Sequence, residues 1–381
     1  MHILPIASGK GGVGKSLLAA NLGVLLAKAG QRVVLADLDF GGSNLHLVLG
    51  IRGVQNGVGT FLTRSGMGFD DIIIDTDQEN LRFVPGDGEI PGIANLTAGQ
   101  KRKLIRRLRS VEADYLILDL GAGTSYNVLD FFLMTGQGIV ITTPTPTALV
   151  NAYLCIKNAL FRILSTSLKR GSAGAAFLLE LGRTSNQLQR VYLPDLISKI
   201  KKVDKEGIAR YEETASRFRP RLVLNMLEDP QDAEKVARLR NSCKEYLGLE
   251  IEQLGIIYRD ELQDIALGAR LPIVKYKPNS VLAQAIQRIT DKVMLLAEDD
   301  DELLTWADSD ESFAEGSTEA EIDFESRMDY VSELLHTGAL THGDLVETVK
   351  SQQIEIGILR KENNLLRAKL IEAAKQGFDV Q

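Results

Sequence analysis

With 381 residues the chain exceeds one small core, so one large domain with appendages is expected. Its two cysteines, Cys155 and Cys243, stand far apart outside any Cys-x-x-Cys, which argues against an iron–sulfur or zinc site and fits a reducing cytoplasm; neither a leader pattern nor an apolar run of about 18 residues suggests a membrane span. The net charge of −7 divides unevenly: residues 298–325 carry 13 acidic side chains and no Lys or Arg, whereas 1–297 carry 37 basic and 30 acidic, so the body is basic and suited to polyanionic partners.

The first element is a short apolar strand, His2 to Ala7, followed by Ser8-Gly-Lys-Gly-Gly-Val-Gly-Lys-Ser16 and a helical pattern through Leu17, Leu18, Leu22, Leu25 and Leu26. Gly9 to Ser16 fits the phosphate-loop pattern G-x-x-x-x-G-K-[ST]. Glycines let such a loop curl, so backbone N–H groups converge on a phosphate chain at a helix N-terminus whose dipole favours anions. Gly11, Gly12, Val13, Gly14, Lys15, Ser16 and Leu17 are therefore expected around a nucleoside triphosphate. Lys15 would reach its β- and γ-phosphates and Ser16 would ligate Mg²⁺.

A second lysine, Lys10, gives the loop the form K-G-G-x-G-K-S. This resembles the deviant Walker A motif of the MinD/ParA ATPase family. By that resemblance Lys10 acts in trans, reaching the phosphates of a second chain across a nucleotide-sandwich dimer, as an arginine finger does.

Arg32 to Ala36 reads as a buried parallel strand that ends at Asp37-Leu-Asp39-Phe-Gly41-Gly-Ser-Asn44. The resemblance makes D-x-D-x-G-x-x-N the first switch. Asp39 then orients the attacking water and stands with Asp37 on the metal side, and Asn44 helps to hold the segment. Thr97 to Val111 is expected to be a helix with Lys101, Arg102, Lys103, Arg106, Arg107 and Arg109 opposite Leu104, Ile105 and Leu108. It reads first as a solvated face and second as a phosphate-tracking patch for non-specific DNA.

Tyr115 to Asp119 is an apolar strand with an acidic end, a Walker B arrangement in which Asp119 contacts Mg²⁺ through water. Gly121 and Gly123 follow at the second switch, with Gly121 where the resemblance implies a γ-phosphate contact. Gly138 to Thr143 is a further strand, closed by Pro144-Thr-Pro146 before a helix to Leu164. Residues 165–219 match the family least and are expected to be an insertion with a partner-binding surface. Arg221 to Asn225 and Ile251 to Ile257 restore the strand pattern. The resemblance brings Asn225 and Asp260 to the base, while Tyr258 departs from a Pro-x-Asp pattern. Leu271 to Val274, Pro278 to Ser280 and a helix to about Ala297 close the domain. The alternation predicts an α/β fold: a mostly parallel sheet wrapped by helices on both faces, with nucleotide at the carboxyl ends of the strands.

Residues 298–325 are expected to be a flexible acidic linker and 326–340 a short helix. Over 341–376 a heptad places Val349, Ile356, Asn363 and Leu370 at a, and Gln352, Leu359, Leu366 and Ala373 at d. Glu355 with Arg360, and Glu362 with Arg367, match across a parallel pair. A parallel dimeric coiled coil is expected. No basic amphipathic end of the kind MinD uses on membranes is present, so no membrane partner is expected.

Together these readings describe an ATP-hydrolysing dimerisation switch that positions or regulates a flagellar, polar or partition assembly in the cytoplasm through a protein partner. The strand begins almost at Met1, so the activation segment that FlhG carries ahead of it is not expected. Two other readings stay open: a nucleotide-gated scaffold with little hydrolysis, and a kinase or transferase on the same fold.

Overall fold

Apolar runs that end at glycine or an acidic residue become the strands of one sheet. They are β1 (His2–Ser8), β2 (Val33–Leu38), β3 (Ile74–Asp75), β4 (Leu81–Val84), β5 (Tyr115–Ala122), β6 (Ile139–Thr142), β7 (Arg221–Leu227) and β8 (Glu252–Tyr258). Their order is β3-β4-β2-β5-β1-β6-β7-β8, parallel throughout except for β3 against β4. The computed structural model describes residues 1–86, 95–183, 192–298 and 306–337, with single positions from 341 to 366.

Alternate strand residues serve the two faces. Leu4, Ile6, Val33, Leu35, Ile117 and Ile141 pack with α1 (Lys15–Lys28), and with a late helix, Val281–Glu298, on one face. Their neighbours Val34, Leu116, Leu118 and Val140 are equally buried and face the helices Tyr126–Phe132 and Pro146–Ser167. Buried Asn21 ties α1 to the chain's later half: its amide donates to the Leu17 carbonyl (2.7 Å) and its oxygen accepts from Val274 N–H (3.1 Å). The expected parallel sheet with helices on both faces is thus the observed one.

The remaining helices, in order, are α2 (Leu45–Val48), α3 (Val58–Thr63), α4 (Ala98–Arg109), α5 (Tyr126–Phe132), α6 (Pro146–Ser167), α7 (Ala173–Arg183), α8 (Leu193–Val203), α9 (Lys205–Ala215), α10 (Asp232–Ser242), α11 (Leu262–Gly268), α12 (Ile273–Tyr276), α13 (Val281–Glu298) and α14 (Trp306–His336). Local chemistry starts several of them. Thr97 and Gln100 form a reciprocal capping box at α4, Ser125 caps α5, Pro146 occupies the first turn of α6 and Asp204 caps α9.

α6 is long and apolar enough to cross a bilayer by length and composition, which the sequence reading did not expect. In the fold it is a core helix, buried at Ala152, Cys155, Ile156, Ala159, Leu160 and Leu164. Burial pushes the thiols of Cys155 and Cys243 up to about 12, which makes them inert packing residues. The described part of residues 165–219 is largely helical: α8 and α9 bury Leu193, Leu196, Ile200, Ile208 and Tyr211, and Arg210 caps the end of α6 through the Ser167 carbonyl (2.8 Å).

Where a flexible acidic linker over 298–325 and a short helix over 326–340 are expected, the described residues differ. From Trp306 the chain is one helix, α14, through His336. The chain divides into two compact units, Met1–Asp323 and Phe324–Gln381. In the first unit α14 seats Ser309, Ser312 and Ala320 in buried positions. Its carboxylates meet cations of the body: Asp310 pairs with Arg240, Glu315 and Glu319 with Lys292 (3.1 and 3.0 Å), and Asp323 with Arg288. Matched charge is why an acidic stretch folds here. Most of the expected coiled coil lies outside the described residues.

Candidate functional site

The loop after β1 is shaped by packing as well as by a ligand's needs. Gly12 and Gly14 have φ of 77° and 97°, the left-handed region that side chains rarely enter. Gly9 is pressed against α6: a Cβ there would lie 2.0 Å from the Asn151 carbonyl oxygen. Ser8 Oγ donates to the Lys10 carbonyl (2.7 Å), and Gly123 N–H donates to the Ser8 carbonyl (2.9 Å), joining loop and second switch. α1 opens directly at Lys15. That side chain is buried, whereas Lys10 is exposed on the same loop.

Three aspartates converge on this end of the sheet, Asp37 and Asp119 as direct neighbours on β2 and β5. They are held very differently. Asp37 is fully buried and each of its oxygens is occupied. Oδ1 accepts from Asp39 N–H (3.1 Å), and Oδ2 accepts from the Ser43 hydroxyl (2.6 Å) and Leu45 N–H (3.2 Å). Burial raises its pKa to about 6 against those bonds. Asp37 therefore braces the first switch from beside Asp119, the side on which the metal is expected. Asp119 is as buried, yet neither of its oxygens has a hydrogen-bond partner. Burial, then the charge of Asp37, raise its pKa to about 7, with Ser16 and Lys15 nearby pulling it down. A buried carboxylate left without a partner between a serine and a lysine is chemically suited to a cation.

Asp39 is half-buried and accepts from Gly41 N–H (3.2 Å). Gly121 lies beside it: a Cβ at 121 would come 3.2 Å from Asp39 Oδ1, so the small residue keeps the two switches in contact. Asn44 is exposed and its side chain caps nothing, so Ser43 holds the segment instead. The sequence reading quoted Ser43 but gave it no role; a hydroxyl six residues from a buried aspartate was the available signal.

Beside the loop is a cavity of about 680 Å³, lined by Gly12, Gly14, Leu17, Asn225, Met226, Tyr258, Arg259 and Asp260. Both residues expected at the base are in its wall. Asn225 donates one amide N–H to the Val13 carbonyl (2.8 Å), so half of its donor capacity positions the loop. The left-handed backbone at Met226 (φ 60°) coincides with a register break between β7 and β8 there. Asp260 accepts from Leu262 N–H (2.9 Å), fixing the turn after β8.

The basic helix α4 is only partly a free face. Lys101 pairs with Asp130, Lys103 donates to the Phe61 carbonyl (3.2 Å) and stands over its ring, and Arg109 donates to the Met134 carbonyl (3.3 Å). Arg102, Arg106 and Arg107 are exposed.

The sequence profile of the CobQ/CobB/MinD/ParA nucleotide-binding domain matches residues 4–273, which takes in the loop, both switches and the cavity wall. The chain belongs to this family. Within the MinD/ParA P-loop ATPases, it is 31% identical to the flagellum site-determining protein YlxH of Helicobacter pylori over 156 residues, 40% of this chain and 52% of that protein. Against the septum site-determining protein MinD of Synechocystis the figures are 34%, 40% and 56%. The matched stretch spans about half the length of these two relatives. The antiactivator FleN of Pseudomonas aeruginosa is 22% identical over 296 residues, 77% of this chain and 86% of that protein. In fold, the chain superposes on MinD of Pyrococcus horikoshii, solved with Mg-ADP, with a TM-score of 0.54 at 22% identity, covering 79% of this chain and 99% of that one.

Proposed function

We propose that the chain is an ATP-dependent dimerisation switch, hydrolysing ATP to ADP and phosphate to position or regulate a cellular assembly. One observation carries the reading: a single phosphate loop holds two lysines in opposite environments, Lys15 buried and Lys10 exposed. A buried lysine beside the site serves its own chain's nucleotide. An outward one can serve a second chain's, stabilising charge on the transferred phosphoryl group.

In the proposed reaction, the N–H groups from Gly11 to Leu17 and the Lys15 ammonium hold the phosphates of ATP, and Asn225 and Asp260 border the base. Ser16 and Asp119 would hold Mg²⁺, which supplies charge compensation for the phosphate oxygens. Asp39, steadied by Gly41 N–H, orients the attacking water, and Gly121 leaves the room beside it. Asp37 acts one step back, keeping the first switch folded through Ser43 and Leu45.

The heptad over 341–376 would tether two bodies before ATP arrives and raise their effective concentration. Relatives named for flagellar and septum sites support a positioning role with a protein partner in the cytoplasm. Non-specific DNA is a second candidate, through Arg102, Arg106 and Arg107. Small-angle scattering of the full chain tests the sandwich. A non-hydrolysable ATP analogue should shrink the radius of gyration of tethered bodies, or double the mass of single ones, in wild type but not in Lys10→Ala. Equal closure in Lys10→Ala would remove Lys10 from the interface.

A further inference from the structure

β8 ends the sheet, and an edge strand presents a row of unpaired N–H and C=O groups that must be covered. Here the cover is the acidic part of α14, and it lies along the whole strand. Ser309 Oγ donates to the Ile251 carbonyl (2.7 Å), and Ser312 Oγ accepts from Gln253 N–H (3.1 Å), two side chains standing in for a ninth strand. Gly316 admits the buried Gln253 side chain: a Cβ at 316 would lie 2.4 Å from its Nε2. At the far end the Tyr258 hydroxyl donates to the Ala320 carbonyl (2.8 Å) from a buried ring. Tyr258 is also in the wall of the 680 Å³ cavity, between Ile257 and the Arg259–Asp260 turn.

We infer that Tyr258 couples this helix to the nucleotide pocket, so that occupancy of the pocket and docking of residues 309–323 strengthen one another. The inference rests on the proposal that the cavity receives the nucleotide base. The turn after β8 is pinned toward the body by Arg259 N–H on the Leu227 carbonyl (2.9 Å) and by Asp260 on Leu262 N–H. Its outer pin is the Tyr258 hydroxyl, held by a helix that three ion-paired cations, Arg240, Arg288 and Lys292, press onto the edge. A proline at 258, the residue of the Pro-x-Asp pattern, carries no hydroxyl and could not make this link. A ligand that tightens the Arg259–Asp260 turn therefore steadies Tyr258 and, through it, the helix. Thermodynamic reciprocity requires the docked helix to raise nucleotide affinity by the same factor. One hydrogen bond sets that factor at about 5-fold. Tyr258 is thus a positioning residue.

Hydrogen–deuterium exchange on the full chain, with ADP as the probe, tests this. In wild type, ADP should slow exchange both in 259–265 and in 309–323. In Tyr258→Phe, ADP should bind about 5-fold more weakly and still protect 259–265, but no longer protect 309–323. Ser312→Ala loosens the helix at its other end, away from the cavity, and should also weaken ADP by a few-fold. Protection of 309–323 in Tyr258→Phe equal to wild type, or faster exchange in Ser312→Ala with unchanged ADP affinity, would overturn the coupling. ADP that binds without protecting 259–265 would instead overturn the base-site reading, and the coupling with it.

Discussion

Two acidic regions of this chain solve the same problem in opposite ways. At the nucleotide end of the sheet, Asp119 is buried with neither oxygen partnered, beside an Asp37 whose oxygens are all occupied by its own switch. Along the sheet edge, the seven carboxylates of residues 306–323 have no basic residue among them in sequence. Arg240, Arg288 and Lys292 reach four of them, Asp310, Glu315, Glu319 and Asp323, from other helices. One region leaves carboxylate oxygens without hydrogen-bond partners where a cation and a phosphate chain are proposed to bind. The other compensates negative charge internally, and so serves structure. A count of acidic residues does not separate the two; the origin of the opposite charge does.

The largest way to break this contrast is Lys15→Ala. Loss of a charged partner to two phosphates should weaken ATP at least about 100-fold by calorimetry, with the α14 contacts untouched. Retained tight binding would remove the phosphate-loop assignment. Next is Gly316→Leu, which forces a side chain onto Gln253. It should cost about 1–3 kcal/mol of unfolding free energy by overpacking, read by denaturant titration, and no loss would mean the helix is not seated as described.

The pH dependence sharpens the contrast further. Asp37 and Asp119 have folded pKa values raised to about 6 and about 7. At these two sites the native state therefore holds more protons than the unfolded chain between about pH 4 and 7, and their contribution to stability falls as pH rises through that window, outweighing the opposite contribution of His46, whose pKa burial lowers. Protein stripped of nucleotide and divalent cations should melt lower at pH 7.5 than at pH 5. Asp119→Asn should flatten the slope, and an unchanged slope would show that Asp119 is not the group responsible. The smallest effect is at the edge. Lys292 is itself kept protonated, since Glu319 and Glu315 outweigh the burial that would lower its pKa. Lys292→Ala should cost about 1 kcal/mol, less at high salt, and a salt-independent loss would point to packing instead.

The fold was legible because its signals are local. β1, β2, β5 and β7 are apolar runs closed by Gly, Asp or Asn, and the loop with its two lysines is contiguous, so neither needs knowledge of distant residues. The acidic helix was not legible for the complementary reason. Its partners lie some 20 to 70 residues earlier on α10 and α13, and Ser309 and Ser312 find theirs only once β8 has become an edge. The bonds of Asp37 were hidden similarly: the spacing D-x-D shows two carboxylates, but not that Ser43 and Leu45 fold back onto the first. Asn225 lines the cavity, while its bond to the Val13 carbonyl depends on β7 lying beside the loop.

The most direct measurement is phosphate release from ATP by wild type, Lys10→Ala and Asp39→Ala, with ATP binding measured on the same samples in the presence of Mg²⁺. All three chains should bind ATP, and only the wild type should turn it over at its full rate, each variant falling by about 100-fold or more. Turnover in Asp39→Ala equal to wild type, or a wild-type chain that binds no ATP, would contradict the account.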